Sequence, residues 1–156
     1  MKRSAGILPY KIEDDNLYVY LEHPGGPYWV EKDLWSICKG EFKNEKAIEA
    51  AIREFNEEAG TLINREKLFF IGSKKQQATN KLVIVFGVEQ DIDPTKMKSN
   101  KFKLEWPPES GIINEFPEMD KAAWFRIEEA YDKIFSGQQV FLKKLTSLLE
   151  KQNMIK

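Results

Sequence analysis

Glu54, Glu57 and Glu58 lie three and four positions apart within GEFKNEKAIEAAIREFNEEAG, the stretch from Gly40 to Gly60. On a helix this spacing gathers three carboxylates over about one turn. Like charges so placed destabilise a helix by ~0.2–0.5 kcal/mol per pair, so the pattern calls for something positive beside it. A hard divalent cation meets that need. Mg2+ takes oxygen ligands, keeps several waters, and is commonly held by one or two carboxylates together with substrate phosphates. Mn2+, which suits the same oxygen donors, can substitute. Arg53, next in the chain, can fork onto one carboxylate and fix its rotamer. A solvated acidic helix face with Arg53 in a surface ion pair has the same spacing, so charge pattern alone leaves both readings open.

The element that must position these groups is a helix predicted over Glu45 to Ala59, with Gly60 ending it where a left-handed residue is easily tolerated. Ile48, Ile52, Phe55 and Ala59 recur at spacings of four, three and four, which predicts one apolar face packed on a sheet.

Glu45, seven further residues, and then Arg53-Glu54-Phe55-Asn56-Glu57-Glu58-Ala59-Gly60 resemble the Nudix box, in which a glycine is followed by Glu and later by Arg-Glu-apolar-any-Glu-Glu-any-Gly. Two departures stand out. Gly40 and Glu45 enclose four residues where the family has five, and Thr61 stands where an aliphatic is usual. Outside the box, SAGILPY, HPGGPYW, LWSICKGE, FKLEWPPESG and EFPEMDKAAWF resemble a bacterial Nudix subgroup of predicted nucleoside triphosphate pyrophosphohydrolases. The resemblance extends to about Leu149.

That resemblance implies an α+β fold, a Nudix-like mixed sheet sandwiched between helices. It implies magnesium-dependent hydrolysis of a pyrophosphate bond in a nucleoside diphosphate linked to another group, of the nucleoside triphosphate or dinucleoside polyphosphate class. Carried over residue by residue, Glu57 and Glu58 are metal ligands, Glu54 is a ligand or the base, and Arg53 orients a carboxylate. The neighbourhood of Gly40 supplies a backbone carbonyl to the metal, a placement that the shortened loop bears on. A further glutamate of the family, ligand or base, falls on Glu118 by preference and on Glu115 second. The base itself stays unassigned at this stage, because sequence spacing cannot show which carboxylate reaches the attacking water. The alternative from another class is a Nudix-fold module that binds a nucleotide without cleaving it, and magnesium-dependent product release separates the two.

The 156 residues fit one domain over 1–156, and 42% hydrophobic content is ordinary for a globular chain. With 24 basic against 25 acidic residues and a net charge of −1, no bulk field recruits nucleic acid or an anionic membrane, so a small-molecule nucleotide is the expected partner. No stretch approaches a membrane span, and no signal-type apolar run follows the start. The single cysteine, Cys38, can form no internal disulfide, which is compatible with a reducing cytoplasm, the expected location. Oligomeric state is not legible.

The remaining pattern supplies a sheet. Ser4–Ile12 and Leu17–Glu22 read as a hairpin joined by Glu13-Asp14-Asp15-Asn16. Leu68–Gly72, Leu82–Val88, Phe102–Trp106 and Ala122–Ile127 read as strands, and Glu128–Phe135 and Gln138–Lys151 as helices. Ser73–Lys81 and Glu115–Asp120 read as polar or acidic connections. In the glycine-rich approach to the box, Tyr28, Trp29 and Trp35 are candidates to stack on a base, although aromatics more often serve as core or loop packing anchors. Lys39 is a candidate phosphate holder, with Lys74, Lys75, Lys81 and Lys103 weaker ones. His23, the only histidine, reads as a loop hydrogen-bonder, and Cys38, with no second cysteine or metal-ligand spacing near it, as a packed small side chain.

Overall fold

The computed structural model describes Met1–Ile155. Two adjacent residues with left-handed backbone, Asp14 (φ 51°) and Asp15 (φ 65°), close the hairpin of β1 (Lys2–Glu13) and β2 (Asn16–Pro24). Two such residues match the twist of the strands they join, and aspartate tolerates the conformation better than most. The chain then forms β3 (Cys38–Phe42), α1 (Ala47–Ala59), β4 (Phe69–Gln76), β5 (Lys81–Glu89), β6 (Lys101–Glu105), β7 (Ile113–Pro117), β8 (Met119–Arg126), α2 (Ile127–Lys133) and α3 (Gln139–Lys151).

β1 organises the main sheet, whose order is β4-β5-β1-β2-β8 with β3 added at β1. One edge of β1 runs parallel to β5 from Lys2 to Tyr10. Its other edge is shared, with β3 antiparallel along Arg3–Ile7 and β2 antiparallel along Tyr10–Glu13. Ser36 bridges Glu22, so the segment entering β3 runs beside the end of β2. β6 and β7 form a separate hairpin.

Strand alternation sends side chains to two cores. Leu8, Leu21, Val83, Val85, Phe141, Leu142 and Leu145 fill the side covered by α2 and α3, while Ala5, Ile7, Tyr20, Phe42 and Phe55 fill the side covered by α1. A mixed sheet between helices is the architecture the sequence led us to expect.

Several boundaries differ from expectation. α1 begins at Ala47, because Lys46 is extended and Glu45 is drawn onto Arg53. The buried stripe of α1 is Ala50, Ala51, Phe55, Glu58 and Ala59, while Ile48 and Ile52 are only half-buried. Small residues face the sheet because they let the helix approach it closely. β3 was not legible: Cys38-Lys39-Gly40-Glu41-Phe42 carries little β propensity, and its pairing with β1 makes it a strand. β4 runs on through the polar Ser73–Gln76, which pairs with Lys81–Ile84. The acidic segment read as a connection, Glu115–Asp120, is mostly strand, ending β7 and opening β8.

Candidate active site

α1 ends at Gly60, whose φ of 66° suits the left-handed cap, and a side chain there would collide with the Lys96 carbonyl. The glutamates therefore lie on the last two turns of a firmly anchored helix. Arg53 organises them. Its Nη2 donates to Glu45 Oε1 at 2.5 Å and its Nη1 to Glu54 Oε1 at 2.9 Å, while Glu57 Oε2 lies 3.9 Å from Nη1. One planar guanidinium thus fixes the Glu54 rotamer and closes the turn that carries Glu45. These charge-assisted bonds push the Arg53 pKa above its ordinary value.

The three helix carboxylates occupy different environments. Glu57 is exposed, Glu54 half-buried, and Glu58 only 3% exposed. Glu58 points inward, where Cys38 Sγ donates to its Oε2 at 3.3 Å. Burial, with the charges of Glu118 and Glu54 adding to it, raises the Glu58 pKa.

Gly40 meets this cluster despite the shortened loop. A methyl group on its Cα would collide with the Glu54 carboxyl carbon, so the backbone of β3 lies directly against that carboxylate. Glu118, in the link between β7 and β8, joins from the opposite side of the chain. Burial and the neighbouring Glu54 charge raise its pKa, and its own charge acts on Glu58. Glu115 instead sits exposed on β7 opposite Lys103. The fold thus places Glu118, and not Glu115, beside the helix carboxylates.

Other candidates fall elsewhere. Trp35 is a correction: it is 6% exposed, with Phe125 and His23 edge-on at centroid distances of 4.8 and 5.1 Å, so it is a core anchor with no free face for a base. Tyr28 is 54% exposed and rests edge-on against Trp106, 5.1 Å between centroids. Lys39 is separated from the carboxylates by strand alternation, since it neighbours Gly40 and turns to the other face, over Gly6. Burial, with Lys81 nearby, lowers its pKa. His23 is a hydrogen-bonder as expected, but from the buried end of β2 rather than from a loop, with Nδ1 2.7 Å from Asp120 Oδ1 and Nε2 2.5 Å from the Lys32 carbonyl.

Two features escaped the sequence reading. A cleft of about 600 Å3 adjoins Glu45 and Arg53 and is also lined by Lys2, Arg3 and Lys43, cations gathered from the start of β1 and the end of β3. Glu22, fully buried on β2, stands beside Cys38 and Glu58, with one ligand atom of each within 4.8 Å of the others. Cys38 is thus packed as expected, but among carboxylates that no sequence spacing could associate with it.

A NUDIX domain model matches residues 2–145. The chain belongs to the Nudix family. A search of curated proteins by sequence finds no match. Among solved structures, a C. elegans Ap4A hydrolase in a binary complex is similar with a TM-score of 0.63 and 18% identity, covering 95% of this chain and 98% of that one. The NUDIX domain of Shewanella oneidensis NrtR, complexed with ADP ribose, has a TM-score of 0.64 and 9% identity, covering 94% and 87%. A MutT/nudix family protein from Enterococcus faecalis has a TM-score of 0.55 and 15% identity over 80% of this chain, which spans 43% of that protein's length. At these identities the likeness is one of fold. Among the described residues of this Nudix chain, no helix is long and apolar enough to cross a membrane.

Proposed function

We propose that the protein is a pyrophosphohydrolase that cleaves a nucleoside diphosphate linked to another group, of the nucleoside triphosphate or dinucleoside polyphosphate class, with Mg2+ or Mn2+ as cofactor. The observation that carries this reading is the gathering of Glu54, Glu58 and Glu118 about the Gly40 backbone, with Arg53 holding Glu54 and approaching Glu57. Membership of the Nudix family supports it.

The donor set fits the cofactor. Glu54, Glu57 and Glu58 offer hard carboxylate oxygens, and the backbone about Gly40 a carbonyl, which is the chemistry Mg2+ selects. When bound, such a cation neutralises charge on the bridging phosphates and favours attack by water at phosphorus. The protein's own residues do the rest. Arg53 fixes the Glu54 oxygens, and the cations Lys2, Arg3 and Lys43 in the adjoining cleft attract the phosphate chain. Glu118 takes the proton of the attacking water on a carboxylate oxygen. It suits that role better than Glu54, because Arg53 already occupies Glu54 Oε1, whereas Glu118 is solvent-accessible and burial with the Glu54 charge raises its pKa. Tyr28, the more exposed of the two exposed aromatics Tyr28 and Trp29 after the glycines, is the candidate to stack on the base. The free, unpaired Cys38 fits a reducing cytoplasm.

A screen of nucleoside triphosphates, dinucleoside polyphosphates and nucleotide sugars with Mg2+, resolved by the phosphate products formed, tests the reading. We expect metal-dependent release of a nucleoside monophosphate or diphosphate from at least one class. Tight nucleotide binding without product would favour the second reading, a binding module, to which the inward turn of Glu58 lends support.

A further inference from the structure

Behind the exposed carboxylates, Glu22 enters from β2, Cys38 from the start of β3 and Glu58 from α1. All three side chains are almost wholly buried, at 0%, 1% and 3% exposure. Tyr20 Oη donates to Glu22 Oε2 at 3.2 Å, but Glu22 Oε1 is buried with no hydrogen-bond partner. An orphaned carboxylate oxygen in a protein interior is costly. Its neighbour Glu58 cannot relieve it while both are ionised, because two carboxylates only accept. Either a proton is shared between them or a cation stands among them.

The third member decides which cation would suit. Cys38 Sγ lies 3.3 Å from Glu58 Oε2. Ligand atoms about 2.0–2.3 Å from a tetrahedral ion stand roughly 3.3–3.8 Å apart, so this pair is already near ligating separation. The full set lies within 4.8 Å, a distance that small side-chain rotations can close. A thiolate among two carboxylates is a poor site for Mg2+ and a good one for Zn2+ and similar transition ions.

We propose that Glu22, Cys38 and Glu58 form a buried transition-metal site, distinct in ligand softness from the carboxylate site at the surface and sharing Glu58 with it. Binding releases the Cys38 thiol proton, and any proton held between Glu22 and Glu58, to solvent, and it forms metal–sulfur and metal–oxygen bonds without redox change. The inference does not depend on hydrolysis, since it concerns three residues and their affinity for an ion.

Co2+ is the probe, because its coordination by thiolate produces a sulfur-to-metal charge-transfer absorption that oxygen ligands do not give. Cys38 is the chain's only cysteine, so the band has one source. Titrating the full-length protein with Co2+, without thiol reductant or nucleotide, is expected to develop this band to one equivalent per chain. Zn2+ should remove it and a large excess of Mg2+ should not. Cys38→Ala should abolish the band, and Glu22→Gln should weaken Co2+ binding at least about tenfold, the lower end of the losses seen when metal-site partners are removed. A wild-type protein that binds Co2+ with no charge-transfer band, or not at all, overturns the proposal whatever the variants do. Displacement of the band by Mg2+ overturns the proposed selectivity of the site for a transition ion over Mg2+. Because no substrate is present, failure here leaves the hydrolase reading standing, and absence of turnover would leave this site standing.

Discussion

Arg53 joins several glutamates of the acidic helix and its approach. An ordinary solvated face would leave it in a single surface ion pair, whereas here one guanidinium spans Glu45 and Glu54 and approaches Glu57. Arg53→Lys keeps the charge but cannot donate in two directions in one plane. We expect kcat to fall about 10–100-fold, with nucleotide KM nearly unchanged and the fold intact by circular dichroism, as for loss of a group that orients metal ligands. Glu57→Gln and Glu58→Gln remove candidate ligands outright, and each should cost more than about a hundredfold in magnesium-dependent turnover. Steady-state rates at saturating substrate and Mg2+ check this. Wild-type rates in both variants would refute the catalytic reading of the cluster.

The element that matters most for the site is the connection from β3 to α1. Its one-residue deficit raised the prospect of a misplaced Gly40, yet β3 continues to Phe42, Gly40 pairs with Ala5, and its backbone abuts Glu54. Glu45 stays outside the helix, on Arg53. Inserting one glycine after Asn44 should therefore lower turnover, since a displacement of ~1 Å can cost on the order of a hundredfold in rate. A faster enzyme on insertion would mean that the short turn is a handicap after all. Gly40→Ala makes a sharper test, because the new methyl group must displace the Glu54 carboxylate. A loss of metal-dependent activity of at least about tenfold is expected, with Mg2+ affinity by calorimetry falling in parallel.

Across the whole molecule, two cores on either side of one sheet set the response to alkali. Tyr10 is buried edge-on to Phe69, and burial, with the Glu89 charge added, lifts its phenol from 10.0 to about 12. A phenol whose pKa is raised by folding contributes stability that is complete below its unfolded value and is lost as pH climbs through the folded one. Stability should therefore fall between about pH 10 and pH 12. Tyr10→Phe should flatten that decline, as read from urea midpoints across the range, while a slope identical to wild type would mean that Tyr10 is not protected by the fold.

Much of this molecule was local enough to read directly. The α1 glutamates, Arg53 and the Gly60 cap follow from helical spacing, and the first hairpin from an acidic four-residue turn between apolar runs. These depend on neighbours a few residues apart, so the chain carries them as a pattern, and the Nudix register added the family and its mixed sheet. What tertiary structure alone decided involves residues far apart in the chain. β3 and β7 are strands because of the partners they meet rather than their own propensity. Trp35 went to the core because Phe125 and His23 close over it. Glu118 reaches the helix carboxylates only through the β7–β8 link, and Lys39 is turned away from them by the alternation of β3. Glu22, Cys38 and Glu58 come from three elements and share no spacing at all. Periodicity reports which face a side chain takes within its own element, but only the packing of one element on another determines what that face meets.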